Sequence, residues 1–364
     1  MTEAKYLVLA NWIKEHIALE KYQRGDRFYT EGELAAMFGV SRLTVRQAVG
    51  LLVNENRLER RRGSGTFVAS GVERQAEAGR IIGVITAYTD YVFSGVLQSI
   101  ETTLANHGYA MQLAFTLDQD ELERQALASM LSSRLAGILY VHSKNVIYNP
   151  NIPLLKEIEK KGIPLIQLFS RSSYTKFPYI ALDDVAAGKI AVDHLISAGH
   201  KEIAGLFMSD TMQGILRYEG YARALCGAGI TPNPRHSLWF TQEESDSLFN
   251  GKSRLVERLE GCTGLLCLND FYACRMIKLL EENGIYVPDD ISIVSVDNSD
   301  LAEHGRVPLT SVEHPNEAIG VKAAENIVRL IKDPGFDATK VFAPKLIERK
   351  SVRRILRSTD TKAG

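Results

Sequence analysis

Apolar residues recur at helical spacing near the start of the chain, where Tyr6, Leu7, Leu9, Ala10, Ile13 and Ile17 outline one helix face. A second, short helix is predicted through Leu34, Ala35 and Phe38. Thr30-Glu31-Gly32-Glu33 ahead of it has the S/T-x-x-E capping-box spacing, and Gly39 suits the left-handed residue that ends a helix. Ser41 then opens a third helix, because its hydroxyl can accept an amide hydrogen of the first turn. There Leu43, Val45 and Ala48 supply packing positions, while Arg42, Thr44, Arg46 and Gln47 can point away from the core. Residues 58–68 read as two β-segments around a basic, Gly-rich tip formed by Arg60, Arg61, Arg62, Gly63, Ser64 and Gly65. Two short helices across a tight turn, a third helix behind them and a hairpin after them describe a winged helix-turn-helix in residues 1–70.

Residues 69–79 lack apolar periodicity and are flanked by glycine, so 71–79 are read as a linker. From residue 80 to 364 the pattern changes to short β-branched runs alternating with amphipathic helices, the mark of parallel strands with crossover helices. Strands are predicted at 81–86, 110–115, 137–141, 164–169, 179–182, 203–208, 264–268 and 291–296. Helices are predicted at 96–105, 121–132, 152–160, 186–198, 214–228 and 272–283. The fold class is therefore α/β: a winged helix-turn-helix followed by a larger doubly wound domain.

Such sheets bind ligands beyond the C-terminal ends of their strands. The segments found there carry Tyr88, Asp90, Tyr91 and Phe93, then His142, Arg171, Gln213 and Arg217, then Asn269 and Asp297. His314 also has a claim to the cleft. Carboxylates, amides and guanidiniums can each satisfy neighbouring hydroxyls, and an aromatic face covers the C–H side of a ring, so the mixture suits a sugar.

Composition narrows the function. The chain has 364 residues, of which 45% are apolar, enough for one small and one larger domain. Residues 1–70 hold 11 Lys and Arg against 8 Asp and Glu, within a chain of net charge −1. Attraction to phosphates would thus come from a patch, since residues 40–68 hold six Arg and two Glu. No run of 18 apolar residues occurs, and the first helix is unlike a leader peptide, which predicts a cytoplasmic protein without a membrane partner. Cys226, Cys262, Cys267 and Cys274 lack CxxC spacing and are expected to be buried free thiols. There is no GxSxG elbow, P-loop or HExxH motif, so neither catalysis nor a cofactor or metal is expected.

Residues 5–69 resemble the DNA-binding domain of the GntR family of bacterial regulators. The matching pieces are Arg24-Gly25-Asp26-Arg27, Glu33-Leu34-Ala35, the stretch from Val40 to Ala48, and the stretch from Gly63 to Val68. The resemblance implies that Arg42 and Arg46 contact bases or phosphates, Ser41 and Thr44 phosphates, and the Gly63–Gly65 tip the minor groove. The expected DNA-facing set is Thr30, Ser41, Arg42, Leu43, Thr44, Arg46, Gln47, Arg60, Arg61, Arg62, Gly63, Ser64 and Gly65, with Leu43 counted in both the packing and the DNA-facing sets. Gly32 stands where family members often carry Arg, which removes one phosphate contact.

Residues 80–354 resemble the effector-binding half of the LacI/GalR repressors. The motifs are Ile82-Gly83-Val84-Ile85, Leu182-Asp183-Asp184, Arg217-Tyr218-Glu219-Gly220-Tyr221, Asn269-Asp270, Val287-Pro288-Asp289-Asp290 and Val296-Asp297-Asn298. This implies two subdomains with several crossovers, a sugar in the cleft held by Arg217, Asn269 and Asp297, and dimerisation through this half. Asp183 joins the expected effector set. The pairing of the two domains resembles the arabinose-operon repressors of Gram-positive bacteria. That resemblance implies a homodimer on a palindromic operator, released by L-arabinose. His142, Phe169 and Phe271 stand where that family tends to have polar or acidic residues, so another pentose or a hexose remains open as effector. A sugar-binding transport or chemotaxis protein would account for the larger half but not for the winged helix.

Overall fold

The computed structural model describes residues 5–19, 22, 25–54, 58–61, 65–68, 79–87, 91–143, 148–172, 174–249 and 254–355, the side chains of 5, 7, 15, 18, 19, 54, 61, 91 and 92 excepted. The expectations placed on Arg62, Gly63, Ser64, Tyr88, Asp90 and the linker residues 71–78 lie outside the described residues, as do those on the side chains of Arg61 and Tyr91. The chain divides into two compact units, Met1–Gly79 and Arg80–Gly364.

The first unit comprises α1 (Lys5–Leu19), α2 (Glu31–Phe38), α3 (Arg42–Asn54) and the hairpin β1 (Leu58–Arg61) with β2 (Gly65–Val68). Its core joins Leu9, Ala10 and Ile13 of α1, Leu34 of α2, and Val45, Ala48, Val49 and Leu52 of α3. The capping box forms: Glu33 N–H donates to Thr30 Oγ1 at 3.2 Å, and Thr30 N–H donates to Glu33 Oε2 at 2.7 Å. Gly39 takes the left-handed conformation (φ 59°, ψ 35°), in which a side chain would be strained. The chain then turns by 117° into α3, within the range of helix-turn-helix pairs. Thr44 N–H donates to Ser41 Oγ at 3.2 Å, as expected of an N-cap. One expectation is corrected: Leu43 is 67% exposed and does not pack in the core. At 100° per residue it lies about 200° around the helix from Val45, which is fully buried, so it shares the outer face with Arg42, Arg46 and Gln47.

In the second unit, β3 (Ile81–Thr86), α4 (Tyr91–Asn106), β4 (Ala110–Phe115), α5 (Asp120–Ser132), β5 (Gly137–Tyr140), α6 (Ile152–Lys160), β6 (Leu165–Leu168) and β7 (Tyr179–Leu182) build the first subdomain. The second begins with α7 (Asp184–Ser197), β8 (Ile203–Met208), α8 (Met212–Gly227) and β9 (Ser237–Phe240). After two short helices, α9 (Ser245–Leu248) and α10 (Arg254–Arg258), it continues through β10 (Gly264–Cys267), α11 (Asp270–Glu282), β11 (Ser292–Asp297), α12 (Asp300–His304) and β12 (Thr310–Glu313). The chain then returns as α13 (Asn316–Lys332), β13 (Lys340–Phe342) and β14 (Lys345–Ile347).

Two six-stranded sheets result, ordered β4-β3-β5-β6-β7-β13 and β9-β8-β10-β11-β12-β14. Every pairing is parallel except β12 with β14. The predicted strands are all present, and β9, β12, β13 and β14 are additional. The chain crosses between the sheets after β7, after β12 and after β13. At the first and third crossings Asp183 N–H donates to the Phe342 carbonyl at 2.9 Å. Buried Ile319, Ala323 and Ile327 of α13 fasten the returning helix to Val96, Ile100 and Leu104 of α4. Helices α7 and α8 meet closely through Gly188 and Gly220, where added Cβ atoms would lie 2.2 Å from Arg217 O and 2.1 Å from Val185 O.

Cys262 and Cys267 are buried and Cys274 partly so, but Cys226 is exposed, contrary to expectation, because α8 turns Ala224 and Leu225 inward instead. Among the described residues no single helix is long and apolar enough to cross a membrane. No group of three or more His, Cys, Asp or Glu among them could hold a metal ion.

Candidate functional site

The first unit presents the outer face of α3, with Arg42, Leu43, Arg46 and Gln47 all exposed. Ser41 and Thr44 share a hydrogen bond between their hydroxyls at 2.9 Å, and the Thr30 hydroxyl is committed to the capping box. In β1, Arg60 follows buried Leu58 by two residues and so faces the same side of the hairpin, toward the helices. This brings three elements together at one carboxylate. Glu31 of α2 accepts Arg46 Nε at 2.9 Å through Oε2 and Arg60 Nη2 at 2.9 Å through Oε1. Sequence reasoning missed Glu31, whose partners lie 15 and 29 residues away. At the tip end of β2, Gly65 has φ 112°, and a Cβ there would lie 3.5 Å from Arg27 Nε.

The second unit holds a cleft of about 510 Å³ between its two subdomains, at the C-terminal ends of the strands. Six residues expected from the sequence line it: Phe93, Gln213, Arg217, Asn269, Asp297 and His314. Three others do not. His142 is buried and absent from the lining, packed against the Tyr140 ring at 4.4 Å, with Nε2 bonded to Gln167 Oε1 at 2.6 Å. Asp183 is the N-cap of α7, its Oδ1 accepting Ala186 N–H at 2.9 Å. Arg171 lies 5.8 Å from the Tyr179 ring centroid. Leu117, Asp118, Thr211 and Gln242 also line the cleft, as do Phe169, Phe271 and Tyr272.

The polar residues of the cleft are held from behind. Buried Arg217, on α8, donates through Nε to Asp184 Oδ1 at 2.8 Å and through Nη1 to Leu268 O at 2.5 Å. Burial pushes the Asp184 carboxyl up, and the guanidinium opposes that shift. Asn269 is the N-cap of α11, accepting Tyr272 N–H at 3.0 Å. Its neighbour Asp270 is fully buried and accepts from Ser295 Oγ at 2.5 Å, Ser311 Oγ at 2.7 Å, and both the amide and hydroxyl of Ser299 at 2.8 Å. Burial raises the Asp270 carboxyl and these donors pull it down. One carboxylate therefore ties together β11, which ends at Asp297, β12, and the turn at Ser299 that follows Asp297. Asn298 is tied in turn by its N–H to Ser311 Oγ at 3.0 Å and by Arg349 Nη2 to its Oδ1 at 2.7 Å.

Backbone strain gathers at the same place. Among the described residues, the non-glycine positions with left-handed φ are Leu117, Asp118, Phe169, Asp297 and Asn298, and the first four line the cleft. Such conformations cost about 1–3 kcal/mol each and concentrate where ligands are clamped. His314, in the second crossing, bonds Asn316 Oδ1 through Nδ1 at 2.6 Å, and its ring lies 5.5 Å from Phe169. Burial, then the charge of Arg217, pushes its pKa down to about 4, so the ring is neutral at pH 7. Phe93 and Phe169 meet edge to face at 5.6 Å. Fixed hydrogen-bonding groups from one subdomain thus oppose aromatic faces from the other, an arrangement that can hold a polyhydroxylated ring.

Residues 5–68 match the bacterial regulatory proteins of the gntR family, and residues 192–352 match a periplasmic binding protein-like domain. The chain is 32% identical over 362 residues to the arabinose metabolism transcriptional repressor of Halalkalibacterium halodurans, with 96% of each chain covered. It is also 32% identical over 360 residues to the protein of the same name from Geobacillus stearothermophilus, covering 97% of this chain and 99% of that one. Among solved structures, the transcriptional regulator CelR–cellobiose complex superposes with a TM-score of 0.66 at 19% identity, over 89% of this chain and 100% of that one. A periplasmic binding protein/LacI transcriptional regulator from Alkaliphilus metalliredigens, complexed with D-xylulofuranose, gives 0.64 at 22% identity, over 75% of this chain and 99% of that one. These two share the fold. By its full-length relatives and its two matched domains, the chain belongs to the family of the arabinose metabolism transcriptional repressors, which join a gntR-type DNA-binding domain to a periplasmic-binding-protein-like domain.

Proposed function

We propose that this protein represses L-arabinose utilisation genes, binding a palindromic operator as a homodimer in the cytoplasm and leaving it when L-arabinose fills the cleft. The observation that carries the reading is the union in one chain of an exposed Arg42–Arg46–Gln47 helix face with a cleft in which Arg217, Asn269 and Asp297 converge. The name borne by relatives 32% identical over nearly the full length supports L-arabinose as the sugar. Arg42 and Arg46 would read base edges in the major groove, and Arg60 and the wing would hold phosphates. A symmetric dimer offers two such helices, so half-sites separated by whole helical turns are expected. The protein acts as a binding switch, without turnover.

Sugar and operator are linked ligands. If the sugar favours a closed cleft and the operator an open one, each lowers affinity for the other by the same factor. The test is thermal shift against a panel of pentoses and hexoses, followed by operator release monitored by anisotropy. A sugar at 100 times its Kd stabilises the native state by about 2.7 kcal/mol. L-arabinose is expected both to raise the melting temperature and to release operator. Response to a different monosaccharide alone would replace the effector, and response to none would overturn the sugar reading.

A further inference from the structure

The two depths of the cleft differ in chemistry. The deep part holds Arg217 and Asp297, both over nine-tenths buried, with Asn269 beside them. The mouth is apolar and exposed instead. Leu117, after β4, is 54% exposed, and Phe271, in the first turn of α11, is 40% exposed, although both line the cleft.

Neither is an incidental surface residue. Leu117 and Asp118 are consecutive left-handed non-glycine residues, with φ 49° and 58°, so the backbone is strained at the point that sets Leu117 at the rim. The Phe271 ring is braced: the edge-to-face partner Tyr272 lies at 5.2 Å, and the Arg275 guanidinium at 5.6 Å. Arg275 is itself fixed by Asp246 at 3.1 Å and by the Phe249 ring at 4.6 Å. Exposed Gln242 and half-buried Asp118 add polar groups beside these two apolar surfaces. A fixed aromatic platform with nearby amide and carboxylate groups suits a second sugar ring, whose C–H face and hydroxyls need both.

We infer that the cleft carries an outer subsite, built on Leu117 and Phe271, for a second glycosyl ring, so that an arabinosyl disaccharide is a better ligand than free L-arabinose. This rests on the reading of the deep site as an arabinose site. Calorimetry on the full-length protein with L-arabinose and with α-linked L-arabinobiose tests it, using the parent, Phe271→Ser and Leu117→Ser. The disaccharide is expected to bind the parent about ten-fold more tightly than the monosaccharide. Each substitution should erase most of that preference, weakening the disaccharide several-fold more than it weakens L-arabinose. Because both side chains are exposed at the rim, melting temperatures near the parent's are expected and serve as the check on folding. If L-arabinose binds as tightly as the disaccharide, or both variants weaken the two sugars equally, the outer subsite is overturned while the deep site stands. If neither sugar binds, the arabinose assignment falls with it.

Discussion

Replacing Glu31 by Gln should tighten DNA binding, because Glu31 holds two cations that a duplex also needs. In the protein alone its carboxylate accepts Arg46 from the recognition helix and Arg60 from the wing, each at 2.9 Å. The side chains are 65% and 46% exposed for the arginines and 27% for Glu31, so solvent screens both pairs. Exposed ion pairs contribute about 0.2–1 kcal/mol each. Two of them together amount to roughly 0.4–2 kcal/mol that phosphates must outcompete, a factor of about 2 to 30 in affinity. Gln keeps the size and one acceptor oxygen but removes the charge. Anisotropy titration of a labelled operator and a scrambled duplex, over a range of salt, measures the effect. Both duplexes should bind Glu31→Gln more tightly, with the gain largest at low salt, while the folded domain loses no more stability than the two pairs contribute. A variant that folds normally yet binds the scrambled duplex no more tightly than the parent would refute the reasoning, since it would mean that Arg46 and Arg60 stay on Glu31 in the complex.

Arg42→Ala should weaken operator binding by about 1–3 kcal/mol and scrambled-duplex binding much less, with the thermal shift by L-arabinose unchanged; the same titration decides. Gly220→Ala places a Cβ 2.1 Å from Val185 O and 2.6 Å from Lys189 N, forcing α7 from α8. Urea denaturation should show a loss of about 1–3 kcal/mol, with weaker sugar binding because Arg217 lies one turn away, and a parent-like midpoint would refute the contact. Burial pushes the His142 pKa down to about 4, whereas the unfolded chain takes up that proton near 6.5. Below about pH 6.5 the unfolded state therefore binds more protons, and stability should fall as pH drops toward 4, by roughly 3 kcal/mol for this group. His142→Gln should flatten the fall of the urea midpoint between pH 7 and pH 5, leaving the part due to His314, whose shift has the same sign.

The caps made the winged helix readable, because Thr30, Gly39 and Ser41 act through neighbours three or four residues away. Leu43 was misread by its apolar character alone, when the stripe through Val45, Ala48, Val49 and Leu52 already excludes it. Strands β12, β13 and β14 hold only one or two apolar residues each, too few to make the apolar run that marked the comparably short β5, β6, β7 and β10. Strand β9 was missed although its length is the same as theirs. Helix α13 was legible but unassigned: Ile319, Ala323, Ile327 and Leu330 repeat at helical spacing. In the cleft, the rule that ligands lie beyond strand ends located Phe93, Gln213, Arg217, Asn269, Asp297 and His314. The same rule reaches Leu117 and Asp118 after β4, although nothing in their residue types suggests a left-handed turn. It points wrongly to His142, which follows its strand by two residues yet turns inward to Gln167. Glu31 could not be read at all, since its role exists only after α2, α3 and the hairpin have assembled.

The three chain crossings in the second unit carry a mechanical consequence. Two bodies joined by one tether can tumble freely, but three neighbouring tethers, with Asp183 N–H bonded to Phe342 O between two of them, suppress most relative rotations and leave chiefly one opening angle. A ligand that engages any part of the cleft walls then acts on that one coordinate. The lining can accordingly be exchanged without rebuilding the transmission that carries occupancy outward. Such a sensor can change what it detects while keeping how it reports.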